Sequence, residues 1–192
     1  MKLIVATHNQ HKIREISQIL PDFEIIADDP DGVEESAPDF AGNALIKVRA
    51  IAAKHAGAWC LADDSGLEVE ALGGEPGVYS VRWAGEGKTD HERNLMLLER
   101  MRSVPETERG AKFVCVAACV FPGGKALAVR GECRGTILDE ERGNGGFGYD
   151  PIFVPEGYEK TFAELPSEVK NGISHRAHAM EGLKNILLSE RK

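Results

Sequence analysis

Asp63-Asp64-Ser65-Gly66 follows directly on the apolar run Trp59-Cys60-Leu61-Ala62. Two adjacent carboxylates beside a buried strand must be desolvated, which is costly unless each has a partner or a task. A strand end that delivers them to a loop suits two tasks: holding a hard cation through oxygen ligands, or activating a water as general base. The tetrad also fits a tight turn in which Asp accepts from its own backbone. Three further polar segments accompany it: Thr7-His8-Asn9-Gln10-His11-Lys12, Gly145-Gly146-Phe147-Gly148-Tyr149-Asp150, and Ser174-His175-Arg176 with Lys170 upstream.

Each segment suggests its own chemistry. Residues 7–12 run from a first strand into a first helix, and a helix start offers free N–H groups and partial positive charge to an anion. Thr7 and Asn9 can donate hydrogen bonds and Lys12 adds a point charge; equally, Thr7 or Asn9 can simply cap the helix. In the glycine-rich segment, backbone can approach a ligand closely. Phe147 and Tyr149 offer faces on which a base can stack, and Asp150 can accept from a ring N–H. The competing reading is a glycine loop tucked under core aromatics. Arg176 suits phosphate or ring stacking, while Ser174 suits an N-cap. His175 and His178 lack the further ligands of a zinc set.

The elements that must position these residues are legible in the periodicity. Leu3 to Ala6 reads as a buried strand, and Ile13, Ile16, Ile19 and Leu20 as a helix stopped by Pro21. Phe23 to Ala27 reads as a strand, and the acidic stretch Asp28 to Asp39 as a loop. A helix follows from Phe40 to His55, with Ala44, Leu45, Val48, Ile51 and Ala52 apolar and Gly57 as its stop. Residues 59–62 and 67–69 read as two short strands around the acidic tetrad. Thr89-Asp90-His91-Glu92 has capping-box spacing and opens a helix through Leu95, Leu98 and Met101. Residues 112–121 and 126–137 form a hairpin, and Ser174 caps a last helix. Helices alternating with strands, then a hairpin, predict an α/β fold with a mixed sheet.

Composition narrows the function classes. The chain has 192 residues, without repeats or a clear linker, which suits one domain. Its net charge of −8 disfavours nucleic acid as a partner. No apolar run approaches the ~20 residues that span a membrane, and the first residues turn polar too soon for a signal peptide. A cytoplasmic protein is expected, with no membrane partner. Cys115 and Cys119 lie four apart on one predicted strand, roughly 13 Å, beyond disulfide reach. Buried free thiols are expected there and at Cys60 and Cys133.

Four stretches in register resemble the inosine triphosphate pyrophosphatase family, the non-standard purine NTP pyrophosphatases. They are Ala62-Asp63-Asp64-Ser65-Gly66-Leu67, Leu72-Gly73-Gly74-Glu75-Pro76-Gly77-Val78-Tyr79-Ser80, Gly146-Phe147-Gly148-Tyr149-Asp150-Pro151 and Ile173-Ser174-His175-Arg176. The resemblance implies an elongated, two-lobed α/β domain over residues 1–192. It has a long mixed sheet flanked by helices and an active-site cleft between the lobes. It also implies a homodimer that uses Mg²⁺ to hydrolyse ITP, dITP and XTP to the monophosphate and pyrophosphate, clearing deaminated purines from the nucleotide pool. By the same resemblance Asp64 is proton acceptor and metal ligand. Thr7, His8, Asn9, Gln10, His11 and Lys12 hold the triphosphate and Ser65 touches substrate. Phe147, Gly148, Tyr149 and Asp150 surround the base, and Lys170, His175 and Arg176 complete the site.

Two positions depart from the family pattern. Gly42 stands where many members carry Glu before Asn-Ala, which leaves the second carboxylate to Asp63 or to the acidic loop, for example Glu35. His8 stands where Gly is common. Two other functions stay in view. One is a pyrophosphatase acting on modified pyrimidine or methylated nucleotides, separated by a substrate panel. The other is a nucleotide-binding regulator without turnover, in which Asp64→Asn changes nothing.

Overall fold

The computed structural model describes residues 1–30 and 32–190; Asp31, within the predicted acidic loop, lies outside them. The strands are β1 (Lys2–Ala6), β2 (Glu24–Asp28), β3 (Cys60–Val69), β4 (Gly110–Val120), β5 (Ala126–Ile137) and β6 (Phe153–Pro155). The helices are α1 (Gln10–Ile19), α2 (Phe40–Lys54), α3 (Asp90–Arg100), α4 (Ser167–Ile173) and α5 (His175–Ser189). The strands form one sheet in the order β2-β1-β3-β4-β5-β6. β1 runs parallel to both neighbours, with Val5 opposite Ala27 on one side and Leu61 on the other. β6 is antiparallel to β5, so the sheet is mixed. This is the predicted α/β class.

The chain divides into two compact units. The first comprises residues 1–65, 115–132 and the segment from Ser174; the second comprises residues 66–114 and 133–173. Each has its own apolar core. In the first, Leu3, Val5 and Leu61 of the sheet meet Ile16 from α1, Leu20 just past it, and Met180, Leu183 and Leu187 from α5. In the second, Leu67, Val69, Phe113 and Phe153 meet Leu97 from α3 and Met101 just past it. Full burial of each such side chain stabilises by about 1.5–3 kcal/mol. Gly131 of β5 has no room for a Cβ, which would collide with the backbone of α5 at His175 and Ala179. The missing side chain lets the strand lie directly on the first turns of the helix that carries Arg176.

Three features differ from the sequence reading. The acidic tetrad is not a loop: Cys60 to Val69 is one continuous strand, with Asp63 and Asp64 buried in its middle. The chain does not need to turn outward there, because cations inside the unit meet both carboxylates. Leu95 of α3 is half exposed, and the buried positions are Asn94, Leu97 and, just past the helix, Met101, with Leu98 packed beside them. β6 and α4 were not anticipated; three and seven residues are too few for a clear period. The capping box of α3 and the Ser174 cap of α5 form as expected. All four cysteines are free and buried. No described helix is long and apolar enough to cross a membrane.

Candidate active site

The polar centre of the first unit is built around Asp63 and Asp64. α1 begins beside them. Asn9 caps it, its Oδ1 accepting from the N–H groups of His11 at 2.9 Å and Lys12 at 3.2 Å, while Thr7 Oγ1 accepts from the Asn9 N–H at 3.1 Å. Gln10 and His11 are exposed, and so is His8, whose ring lies 3.1 Å from an Asp29 carboxylate oxygen. The cap directs Lys12 inward, where its Nζ lies 3.1 Å from Asp63 Oδ2.

Asp63 Oδ2 collects further donors. Arg176 Nη2 donates to it at 3.1 Å and to Ser65 Oγ at 2.9 Å, and Nη1 of the same guanidinium pairs with Glu15 of α1. Cys115 points its thiol at the same oxygen from 3.8 Å. Arg176 is fully buried, so its guanidinium serves these protein groups. Burial works to raise the Asp63 carboxyl, but the fields of Lys12, Arg176 and Lys47 outweigh it and hold the group far below the usual carboxylate range. Its other oxygen, Oδ1, is buried and lacks a hydrogen-bond partner among the described residues.

Asp64 has different company. Lys47 Nζ lies 3.2 Å from its Oδ1, and Asn43 Nδ2 donates to its Oδ2 at 3.2 Å. The same ammonium reaches Glu35 Oε2 at 3.2 Å, so Lys47 joins two carboxylates. Burial raises the Asp64 carboxyl, Glu35 adds to the rise, and Lys47 and Lys12 oppose it without cancelling it. Lys47 itself stays charged: burial alone would lower its pKa, but Asp64, Asp63 and Glu35 raise it. The two neighbouring carboxyls are thus pushed in opposite directions, Asp63 toward the ionised form and Asp64 toward the protonated one.

Glu35 reaches this centre because its loop is docked on α2. The Ala37 N–H donates to Asn43 Oδ1 at 2.9 Å, and the Gly42 N–H donates to Asp39 Oδ1 at 2.7 Å. A Cβ at position 42 would collide with the Ala37 Cβ. Gly42 is therefore the residue that lets the acidic loop lie close, and the loop supplies a carboxylate of its own.

The glycine-rich segment belongs to the second unit. The Tyr149 ring is buried, its hydroxyl donates to the Ser80 carbonyl at 2.9 Å, and burial pushes its pKa up to about 12. Asp150 is buried and accepts from Lys170 Nζ at 2.5 Å and from the Phe147 N–H at 2.8 Å. Lys170 also lies over the Phe147 ring, 4.9 Å from its centroid. Phe147 and Gly148 are partly exposed, whereas Tyr149 and Asp150 face inward.

The sequence-predicted residues thus fall into two groups. Lys12, Asp63, Asp64, Ser65 and Arg176 meet in the first unit, whose buried residues include His175; Phe147, Asp150 and Lys170 meet in the second. Sequence reasoning missed Glu15, Asn43 and Lys47. A signal for Lys47 existed: it occupies the buried stripe Ala44, Lys47, Val48, Ile51 of α2, where a charge needs a partner.

Fold and site together define a mixed-sheet α/β protein with a strand-borne carboxylate pair set among buried cations. A model of the Ham1 family matches residues 3–186, and the chain belongs to that family. It is 46% identical to a dITP/XTP pyrophosphatase of Desulforamulus reducens, over 97% of this chain and 96% of that one. It is 48% identical to one from Geobacter sulfurreducens, with the same two coverages. The solved Ham1 protein of Staphylococcus aureus superposes with a TM-score of 0.86 at 41% identity, covering 99% of this chain and all of that one.

Proposed function

We propose that the protein hydrolyses non-standard purine nucleoside triphosphates (dITP, ITP and XTP) to the monophosphate and pyrophosphate, with Asp64 as general base. The observation that carries this reading is the pair Asp63 and Asp64 side by side in one buried strand, the first held by Lys12 and Arg176 and the second by Lys47 and Asn43. The dITP/XTP pyrophosphatases at 46 and 48% identity give the substrate class.

Asp64 accepts a proton from water, the water oxygen bonds to the α-phosphorus, and the bond from that phosphorus to the bridging oxygen breaks. The electron pair leaves with pyrophosphate. Lys12 faces the developing charge, a contribution that is commonly the largest in such sites. Arg176 acts at one remove, holding Asp63 and Ser65. Thr7 to His11 form the phosphate-facing start of α1. Phe147 and Gly148 meet the base, backed by Tyr149, Asp150 and Lys170, and His175 sets the start of α5.

A divalent cation fits the donors present. Glu35 and Asp64 offer hard oxygen ligands around a point where an ammonium already sits, and Asp63 Oδ1 is a buried acceptor without a hydrogen-bond partner among the described residues. Mg²⁺ suits one or two carboxylates plus substrate phosphates. When bound, it neutralises phosphate charge and polarises the attacked phosphorus. The reading includes a single functional domain, a homodimer and residence in the cytoplasm.

Turnover of ITP in ¹⁸O-water, followed by ³¹P NMR, tests the reaction. The expected products are inosine monophosphate and pyrophosphate, with the label on the monophosphate. Release of orthophosphate, or label in pyrophosphate, overturns the reading.

A further inference from the structure

We infer that Asp90 and Asn94 of α3 are positioning residues for base selection, because they grip both backbone groups of Gly148. The inference rests on the proposed base-binding role of the loop. The Gly148 N–H donates to Asp90 Oδ2 at 2.6 Å, and the Gly148 carbonyl accepts from Asn94 Nδ2 at 3.1 Å. Gly148 sits at φ +62°, a conformation that L side chains rarely adopt. A helix therefore fixes one of the several backbone shapes open to a glycine.

The grip continues into the neighbouring residues. The Phe147 N–H is held by Asp150, and the Tyr149 hydroxyl by Ser80. Three successive loop residues are thus pinned, with the partly exposed Phe147 ring at their start. Ordering a free residue on binding costs roughly 1–2 kcal/mol of backbone entropy, and a loop fixed beforehand avoids that cost.

Asn94 is the informative member. It occupies the buried stripe of α3 with Leu97, Leu98 and Met101, where an apolar side chain packs at lower cost. Its Nδ2 is shared between Gly148 and Glu141 Oε1, the latter at 2.7 Å, and its Oδ1 is buried without a hydrogen-bond partner among the described residues. A core position that tolerates an unmatched carbonyl to keep this donor is used for holding the loop. Asp90 adds a second bond from the first turn, where its other oxygen is paired with Arg93.

The test is steady-state kinetics with ITP and GTP on Asn94→Ala, Asp90→Ala, Asp90→Asn and Phe147→Ala, with melting temperatures alongside. One lost buried bond corresponds to about tenfold. Asn94→Ala and Asp90→Ala are expected to raise KM for ITP about tenfold and to narrow the ITP-over-GTP preference by a similar factor. In both, kcat should stay within about threefold. Asp90→Asn, which keeps an acceptor for the Gly148 N–H, should restore KM and preference. A purely structural role would lower the melting temperature and the active fraction, hence kcat, while leaving KM and preference alone; that result overturns the inference. If Phe147→Ala shifts KM and preference but the α3 variants do not, only the inference falls. If Phe147→Ala also leaves both unchanged, the base-binding reading of the loop falls and takes the inference with it. Should Asn94→Ala not fold, the contrast between Asp90→Ala and Asp90→Asn decides alone.

Discussion

Asp63 and Asp64 are neighbours on one strand, yet substitution should separate them cleanly. Asp63 shares the buried Arg176 with Glu15 and accepts from Lys12. Removing its charge strands part of a buried cation cluster, a change that typically costs about 3–5 kcal/mol. Asp63→Asn is therefore expected to lower the melting temperature sharply. Asp64 is bound less heavily, by Asn43 and Lys47, and its carboxyl is shifted toward basicity. Asp64→Asn should keep the fold while turnover drops by about 10²- to 10⁴-fold, the usual share of a general base. Thermal melts beside turnover rates check both. The candidate site was legible at this scale in residue type: Lys12, Asp63, Asp64 and Arg176 were named from the sequence and do meet. Their pairing was not legible, because which cation serves which carboxylate is set by how separate elements pack: Lys47 lies 17 positions from Asp64, and Arg176 lies 113 from Asp63. Glu15, 161 positions from Arg176, and Asn43, 21 from Asp64, escaped notice because they too sit on other elements.

Among the elements, the first turn of α2 and the acidic loop form one unit of design. Gly42 leaves room for Ala37, Asn43 ties the Ala37 N–H, and the loop brings Glu35 to Lys47. Alanine normally favours a helix over glycine by about 1 kcal/mol. Gly42→Ala should nevertheless destabilise by about 1–3 kcal/mol, since overpacking forces backbone to shift. Displacement of Glu35 should also weaken Mn²⁺ binding in the absence of substrate, measured by electron paramagnetic resonance. A stabilised variant with unchanged Mn²⁺ affinity would contradict this account of the loop. Element existence was readable from hydrophobic period and caps, as with α1, α2 and the α3 capping box. The continuity of β3 was not, because two aspartates in a row read as a turn until their internal cations are known.

At the scale of the whole molecule, stability should fall on both sides of neutrality. Asp63 is held below its unfolded-chain value near 3.9. Its contribution is complete above about pH 4 and is lost as pH falls through the folded value. On the alkaline side, burial pushes the thiols of Cys115 and Cys119 up to about 12 and that of Cys133 to about 11. An unfolded thiol ionises near 8.5. The unfolded chain thus releases protons first, and stability falls as pH rises from about 9 toward 11. Melting temperature against pH checks both limbs, and a thiol reagent at pH 8 should label the cysteines only once the chain unfolds.

The most direct test is pyrophosphate release from ITP, XTP, GTP and ATP, with and without Mg²⁺, in the natural protein and in Asp64→Asn. A pocket built for a 6-oxo group and an N1–H leaves its partners unsatisfied when adenine presents an amine. Strong Mg²⁺-dependent release from ITP and XTP, weak release from GTP and ATP, and loss of release in Asp64→Asn are expected. Tight ITP binding without release, or release that survives Asp64→Asn, would contradict the proposed function.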